Sequence, residues 1–136
     1  HWRTFQWHWD TLANLVDYLP NILDKFQTFA HQQILSGGET LDTILTLNPT
    51  DNDNTKLIKG LKFEFLCRMN HADSIRKASE LFKTIPIQYF NNSDIGIGIG
   101  ADFLTTVYTY HLKHDDNEAD WNMMFNYYKI AVSPQA

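Results

Sequence analysis

Apolar side chains return at steps of three and four residues along most of this chain, the spacing that gathers them on one face of an α-helix. Trp9, Leu12, Ala13, Val16 and Leu19 form a first stripe, preceded by an aromatic lead-in, residues 1–8, with no clean period. That lead-in is read as irregular or as a short helical piece. Pro20 either opens the next helix or bends the join, because its ring locks φ and removes an amide donor. Ile22, Leu23, Phe26, Phe29, Ala30 and Ile34 carry the stripe onward, and Gly37-Gly38 supplies a helix stop.

Leu41, Ile44, Leu45 and Leu47 suit a further helical turn or two. The polar run from Asn48 to Asp53 is a loop with helix-start chemistry, where Asp53 or Asn54 would cap. Leu57, Ile58, Leu61, Phe65 and Leu66 make the next stripe, closing near Met69-Asn70-His71. After a tight turn, Asp73-Ser74 leads into Ile75, Ala78, Leu81 and Phe82. So short a connection between amphipathic helices predicts an antiparallel pair. Ile85 to Gly100 holds strand-like alternation, but its Ile-Gly repeat disfavours a stable strand. Two more helices are expected at 101–113 and 116–131, ending before Ser133-Pro134. The predicted class is all-α: antiparallel helical hairpins in an α-solenoid, HEAT- or armadillo-like layer, with 1–136 forming a single helical domain fragment.

Composition sharpens this. Hydrophobic residues are 43% and aromatics 14% of the 136 residues, which is globular material. A net charge of −5, with basic residues scattered apart from Arg76-Lys77, lacks the basic stripe a nucleic-acid binder needs. No nucleic-acid partner is expected. No apolar run within these 136 residues approaches the roughly 20 that span a bilayer, and no signal peptide is expected among them. One cysteine makes no internal disulfide.

Six histidines invite a metal hypothesis, yet no H-E-x-x-H occurs. His111 and His114, near a helix end with Asp115 and Asp116, would be a weak metal constellation. They read better as groups in a solvated turn, with Asp115 or Asp116 capping the next helix. The Ile95–Gly100 glycines alternate without the spacing of a phosphate loop, and Asp102 would repel an anion at the following helix start. Cys67, beside Leu66, reads as a buried apolar residue. Asn91-Asn92-Ser93 is a sequon, so Asn91 would accept an N-glycan in an extracellular setting. Trp121, Phe125 and Tyr128 share a helix face and are expected in the core. Trp2, Phe5, Trp7 and Trp9 are harder to bury together in so short a segment. They either enter the core or pack on a neighbouring domain.

Several strings occur in a telling order. Trp9-Asp-Thr-Leu-Ala-Asn-Leu comes first, then Cys67 through Ala78-Ser-Glu-Leu-Phe82. Ile99-Gly-Ala-Asp-Phe-Leu-Thr-Thr-Val-Tyr108 follows, then Glu118-Ala-Asp-Trp121 and Phe125-Asn-Tyr-Tyr-Lys129. In this order the chain resembles the C-terminal helical domain of zinc metallo-aminopeptidases of the aminopeptidase N type, as a divergent member or fragment. Departures accompany the resemblance. Leu104 stands where the family has arginine, and Ser74 and Thr109 stand where its extracellular branch has cysteines. Both local disulfides of that branch are thus absent.

The resemblance implies a non-catalytic portion of a peptidase that removes N-terminal residues, capping the active-site chamber and helping to select peptides. It implies zinc in the catalytic domain of a parent enzyme, with no cofactor, metal ligand or catalytic residue in this chain. The implied partners are that catalytic domain and peptide substrates. The implied location is the extracellular face of the plasma membrane or a secreted setting, with the missing cysteines also compatible with the cytoplasm. The alternative reading is a freestanding helical module that binds a protein or peptide.

Overall fold

The computed structural model describes residues 3–4, 6–8, 10–11, 20–90 and 96–132, with backbone alone for 20–23 and 130–132. Among these residues every regular element is helical, so the all-α class holds, and the described parts of the segment after Ile85, residues 85–90 and 96–100, form no strand. No helix among them is long and apolar enough to cross a membrane. All five apolar residues of the stripe expected from Trp9 to Leu19 lie outside the described residues, as do Trp2, Phe5 and Asn91. The chain divides into two compact units, His1–Ser74 and Ile75–Ala136.

In the first unit, helix α1 runs Pro20–Ile34, with Pro20 at its opening position and Ala30 and Ile34 buried. Gly37 and Gly38 both take positive φ, 74° and 81°, a left-handed geometry that glycine adopts without steric cost. Helix α2, Leu41–Leu45, is one short turn held by a reciprocal capping box. The Thr40 amide donates to Thr43 Oγ1 at 2.8 Å, and the Thr43 amide donates to Thr40 Oγ1 at 3.3 Å.

Helix α3, Asp53–Arg68, is the centre of this unit, and α1 and α2 both pack on it. Its cap is Asn52, whose Oδ1 accepts the Thr55 amide at 2.8 Å; neither Asp53 nor Asn54 takes that role. The asparagine wins because it precedes the first helical residue in extended geometry, and Asp53 is already inside the helix. The buried face also differs from the expected one. Phe63, Phe65, Leu66 and Cys67 are buried, whereas Leu57 and Ile58 are 38% and 39% exposed. Phe63 and Phe65 lie roughly 200° apart around the axis at 100° per residue, so the C-terminal half is enclosed from several sides.

Helix α3 ends in a Schellman turn. The His71 amide reaches Leu66 O at 2.9 Å, the Asn70 amide reaches Cys67 O at 3.1 Å, and Asn70 takes φ 61°. Helix α4, Ala72–Lys83, follows at once, and the division between the units falls inside it.

The second unit contains the rest of α4, a 3-10 turn at Ile87–Phe90, helix α5 at Ala101–His114 and helix α6 at Glu118–Val132. Its core joins Ala78 and Phe82 of α4 to Tyr89 and Phe90 of the turn and to Phe103, Val107 and Tyr110 of α5. Tyr127 brings α6 onto the turn, 5.7 Å from the Phe90 ring and 6.3 Å from that of Tyr89. The Tyr108 hydroxyl is buried beside Tyr89 without closing a bond of good geometry, and burial holds its pKa well above the ordinary tyrosine value.

Helix α6 starts later than expected because Asn117 caps it, its Oδ1 accepting the Ala119 amide at 3.0 Å. Asp115 instead turns the loop, accepting the Asn117 amide at 3.1 Å, and Asp116 is exposed. The expectation of a core stripe on α6 fails. Trp121, Phe125 and Tyr128 are 53%, 44% and 62% exposed, because α6 turns Tyr127, one step round the helix, toward the aromatic turn.

Candidate functional site

Three polar features stand among the described residues: a buried histidine between α5 and α6, a histidine pair at the α3–α4 turn, and the buried thiol of Cys67. The last is inert. Burial, with the Glu64 charge adding to it, pushes the Cys67 thiol up to about 12, so almost no thiolate exists near neutrality.

The histidine pair is structural. His31 lies edge-on to His71, ring centroids 4.8 Å apart, and its Nε2–H donates to Met69 O at 2.8 Å. His71 immediately precedes α4 and performs its N-capping. Its Nδ1 accepts the Ser74 amide at 3.3 Å and lies 2.6 Å from the Ser74 hydroxyl. Each ring therefore spends one nitrogen on the chain's own backbone, which leaves no shared lone-pair site between them.

The densest cluster lies within the second unit. His111, in the last turn of α5, is fully buried, contrary to the expectation of a solvated turn. Its ring stacks on Phe82 with centroids 4.0 Å apart and planes 17° from parallel. Nδ1 lies 3.1 Å from Ser79 Oγ on α4. Nε2 lies 2.8 Å from Asp120 Oδ2 and 3.2 Å from Asp115 Oδ2. Of the residues the sequence singled out, the structure thus brings together His111 and Asp115. It leaves out His114, whose exposed ring stacks on Tyr110. Asp120 was missed, although its position carries a signal. It is the third helical residue after the Asn117 cap, where an acidic side chain turns back toward the preceding loop.

Ser79, His111 and Asp120 form a serine–histidine–carboxylate chain, but not a hydrolytic one. Ser79 sits inside α4, where neighbouring amides are committed to the helix and none is free to stabilise an oxyanion. The imidazole is covered by Phe82 and has no exposed surface. Chemically, the arrangement can orient an imidazole, hold a proton, or offer nitrogen and carboxylate oxygens to a cation.

No protein-family model matches the chain. No solved structure matches it significantly. An 86-residue stretch is 30% identical to aminopeptidase A of Gloydius brevicauda, covering 62% of this chain and 8% of that relative. The chain therefore spans only a small part of the length of the curated relative it matches.

Proposed function

We propose that this chain is a non-catalytic helical portion of a zinc-dependent aminopeptidase. In this reading its hairpins belong to an α-solenoid layer that caps the active-site chamber and helps decide which peptides enter. A helical layer suits that task, since it excludes water and bulky substrate without supplying a metal ligand to the chemistry. The catalytic domain of the same parent chain and peptide substrates are the partners, and the catalytic zinc belongs to that domain. The observation that carries the reading is the 30% identity to an aminopeptidase A, in a chain whose described elements are all helical. The unreactive Cys67 and the helix-bound Ser79 support a role without hydrolysis.

The test has two parts. The purified chain, supplied with zinc, should release no amino acid from aminoacyl-amide and peptide substrates, and the reading frame upstream of His1 should encode H-E-x-x-H. Hydrolysis by the chain itself, or an upstream frame lacking that string, overturns the proposal.

One observation favours a second reading, a helical interaction module. Trp121, Phe125 and Tyr128 form an exposed face on α6, with Lys129 Nζ 4.4 Å from the Phe125 ring centroid. A module of that kind would melt cooperatively as a monomer and have no H-E-x-x-H upstream.

A further inference from the structure

Two carboxylates converge on one imidazole nitrogen at the α5–α6 turn. His111 Nε2 has a single N–H to give, and Asp120, at 2.8 Å, is its better-placed acceptor. Asp115, at 3.2 Å, is then a second carboxylate held beside a nitrogen that already has a partner. Even an imidazolium leaves the trio with a net negative charge, in a site whose nitrogen is fully buried. A divalent cation resolves that imbalance where one proton does not.

We propose that His111, Asp115 and Asp120 form a structural binding site for a first-row divalent transition metal, of the zinc or cobalt kind, that pins the α5–α6 turn. The ligand atoms all lie within 4.8 Å of one another. A tetrahedral ion with bonds of about 2.0–2.2 Å holds its ligands roughly 3.3 Å apart, so the two nitrogen–oxygen distances of 2.8 and 3.2 Å widen by up to about half an ångström, while the two carboxylate oxygens, within 4.8 Å of each other, adjust by rotation of the part-exposed aspartate side chains. The imidazole selects against calcium and magnesium, which take oxygen ligands. Ser79 completes the arrangement. Its Oγ, 3.1 Å from Nδ1, accepts the Nδ1 proton and leaves the Nε2 lone pair for the metal. Binding to the neutral ring moves its proton from Nε2 to Nδ1; binding to the imidazolium releases one proton. The two aspartates are 28% and 22% exposed, so water reaches the remaining coordination position. This site owes nothing to the peptidase reading, and neither depends on the other.

The experiment titrates the metal-free chain with Co2+ alone, followed by its visible absorption, and then displaces it with Zn2+. A single tight equivalent is expected, with a rise in melting temperature on zinc addition. Asp115→Asn keeps an oxygen for the Asn117 amide and so retains the turn, yet should weaken binding by at least about tenfold. Asp120→Asn should do the same, and Ser79→Ala should weaken it by about tenfold. His71→Asn, at the α3–α4 turn, should change nothing. Absence of a stoichiometric equivalent, or affinity unchanged in both aspartate variants, overturns the site.

Discussion

The cap on α4 makes stability depend on the protonation of one ring. His71 Nδ1 accepts the Ser74 amide and sits 2.6 Å from a fully buried Ser74 hydroxyl, so the folded state requires that nitrogen bare. Burial first, and the charge of His31 second, lower its pKa below 6.5, with Asp73 acting in the opposite direction. In the unfolded chain the ring titrates near 6.5. Between the folded and unfolded values the unfolded state holds more protons, so stability rises with pH across that interval. The contribution is complete above about 6.5 and is lost as pH falls from there through the folded value. Losing the cap costs about 1 kcal/mol, and stranding the buried Ser74 hydroxyl costs about as much again. His71→Ala should therefore lower the unfolding free energy by about 2 kcal/mol at pH 8, measured by urea denaturation. His71→Asn keeps a capping oxygen and does not titrate. It should stay within about 0.5 kcal/mol of the parent at pH 8 and lose less stability than the parent between pH 7 and 5. If parent and His71→Asn lose stability in parallel over that range, the ring is not the titrating cap and the reasoning fails.

Packing, backbone geometry and the burial of one thiol fix four further outcomes. Phe63→Ala, at a fully buried site, should cost about 3–5 kcal/mol, whereas Ile58→Ala, at a 39% exposed one, should cost under about 1 kcal/mol by chemical denaturation. Ala at Gly37 or Gly38 should destabilise by about 1–2 kcal/mol, since both take positive φ. A Cβ at Gly96 or Gly98 meets no atom within 4 Å and neither has positive φ, so Ala there should add about 0.4–1 kcal/mol. Cys67 should resist a thiol-specific reagent at pH 8 in the folded chain and react fully in urea, because a thiol pushed up to about 12 is only roughly one part in ten thousand ionised there.

The helical class was legible because the stop and start signals are local. Pro20, the Gly37-Gly38 pair and the Asn70 turn act through φ and hydrogen bonds within a few residues, and each marks the boundary its chemistry dictates. Faces were less legible. A stripe at helical spacing says that residues share a side, not that the side has a neighbour. On α3 the C-terminal half is enclosed from several sides and the N-terminal half is not, so Phe63 is buried and Leu57 is 38% exposed. On α6 the 3-10 turn recruits Tyr127, and the stripe beside it stays in solvent. Both errors come from tertiary context, which a one-dimensional period does not carry.

The candidate site failed differently, and the reason is topological. His111, Asp115 and Asp120 are spread over two helices and the turn between them, and proximity in sequence suggested His114 and Asp116 instead. On α5, His114 lies roughly 300° round the axis from His111 and three residues on, which carries it out to the surface, where it stacks on the buried Tyr110 ring. Asp120 enters because Asn117 starts α6 and places the third helical side chain back toward the end of α5. The cap thus determines which carboxylate meets the histidine. Shifting the start of α6 by one residue would rotate Asp120 away by about 100° and dissolve the cluster while keeping both helices. The site is therefore a property of one turn's register, and a histidine expected in solvent becomes the most enclosed polar side chain of its unit together with the carboxylates that this register delivers.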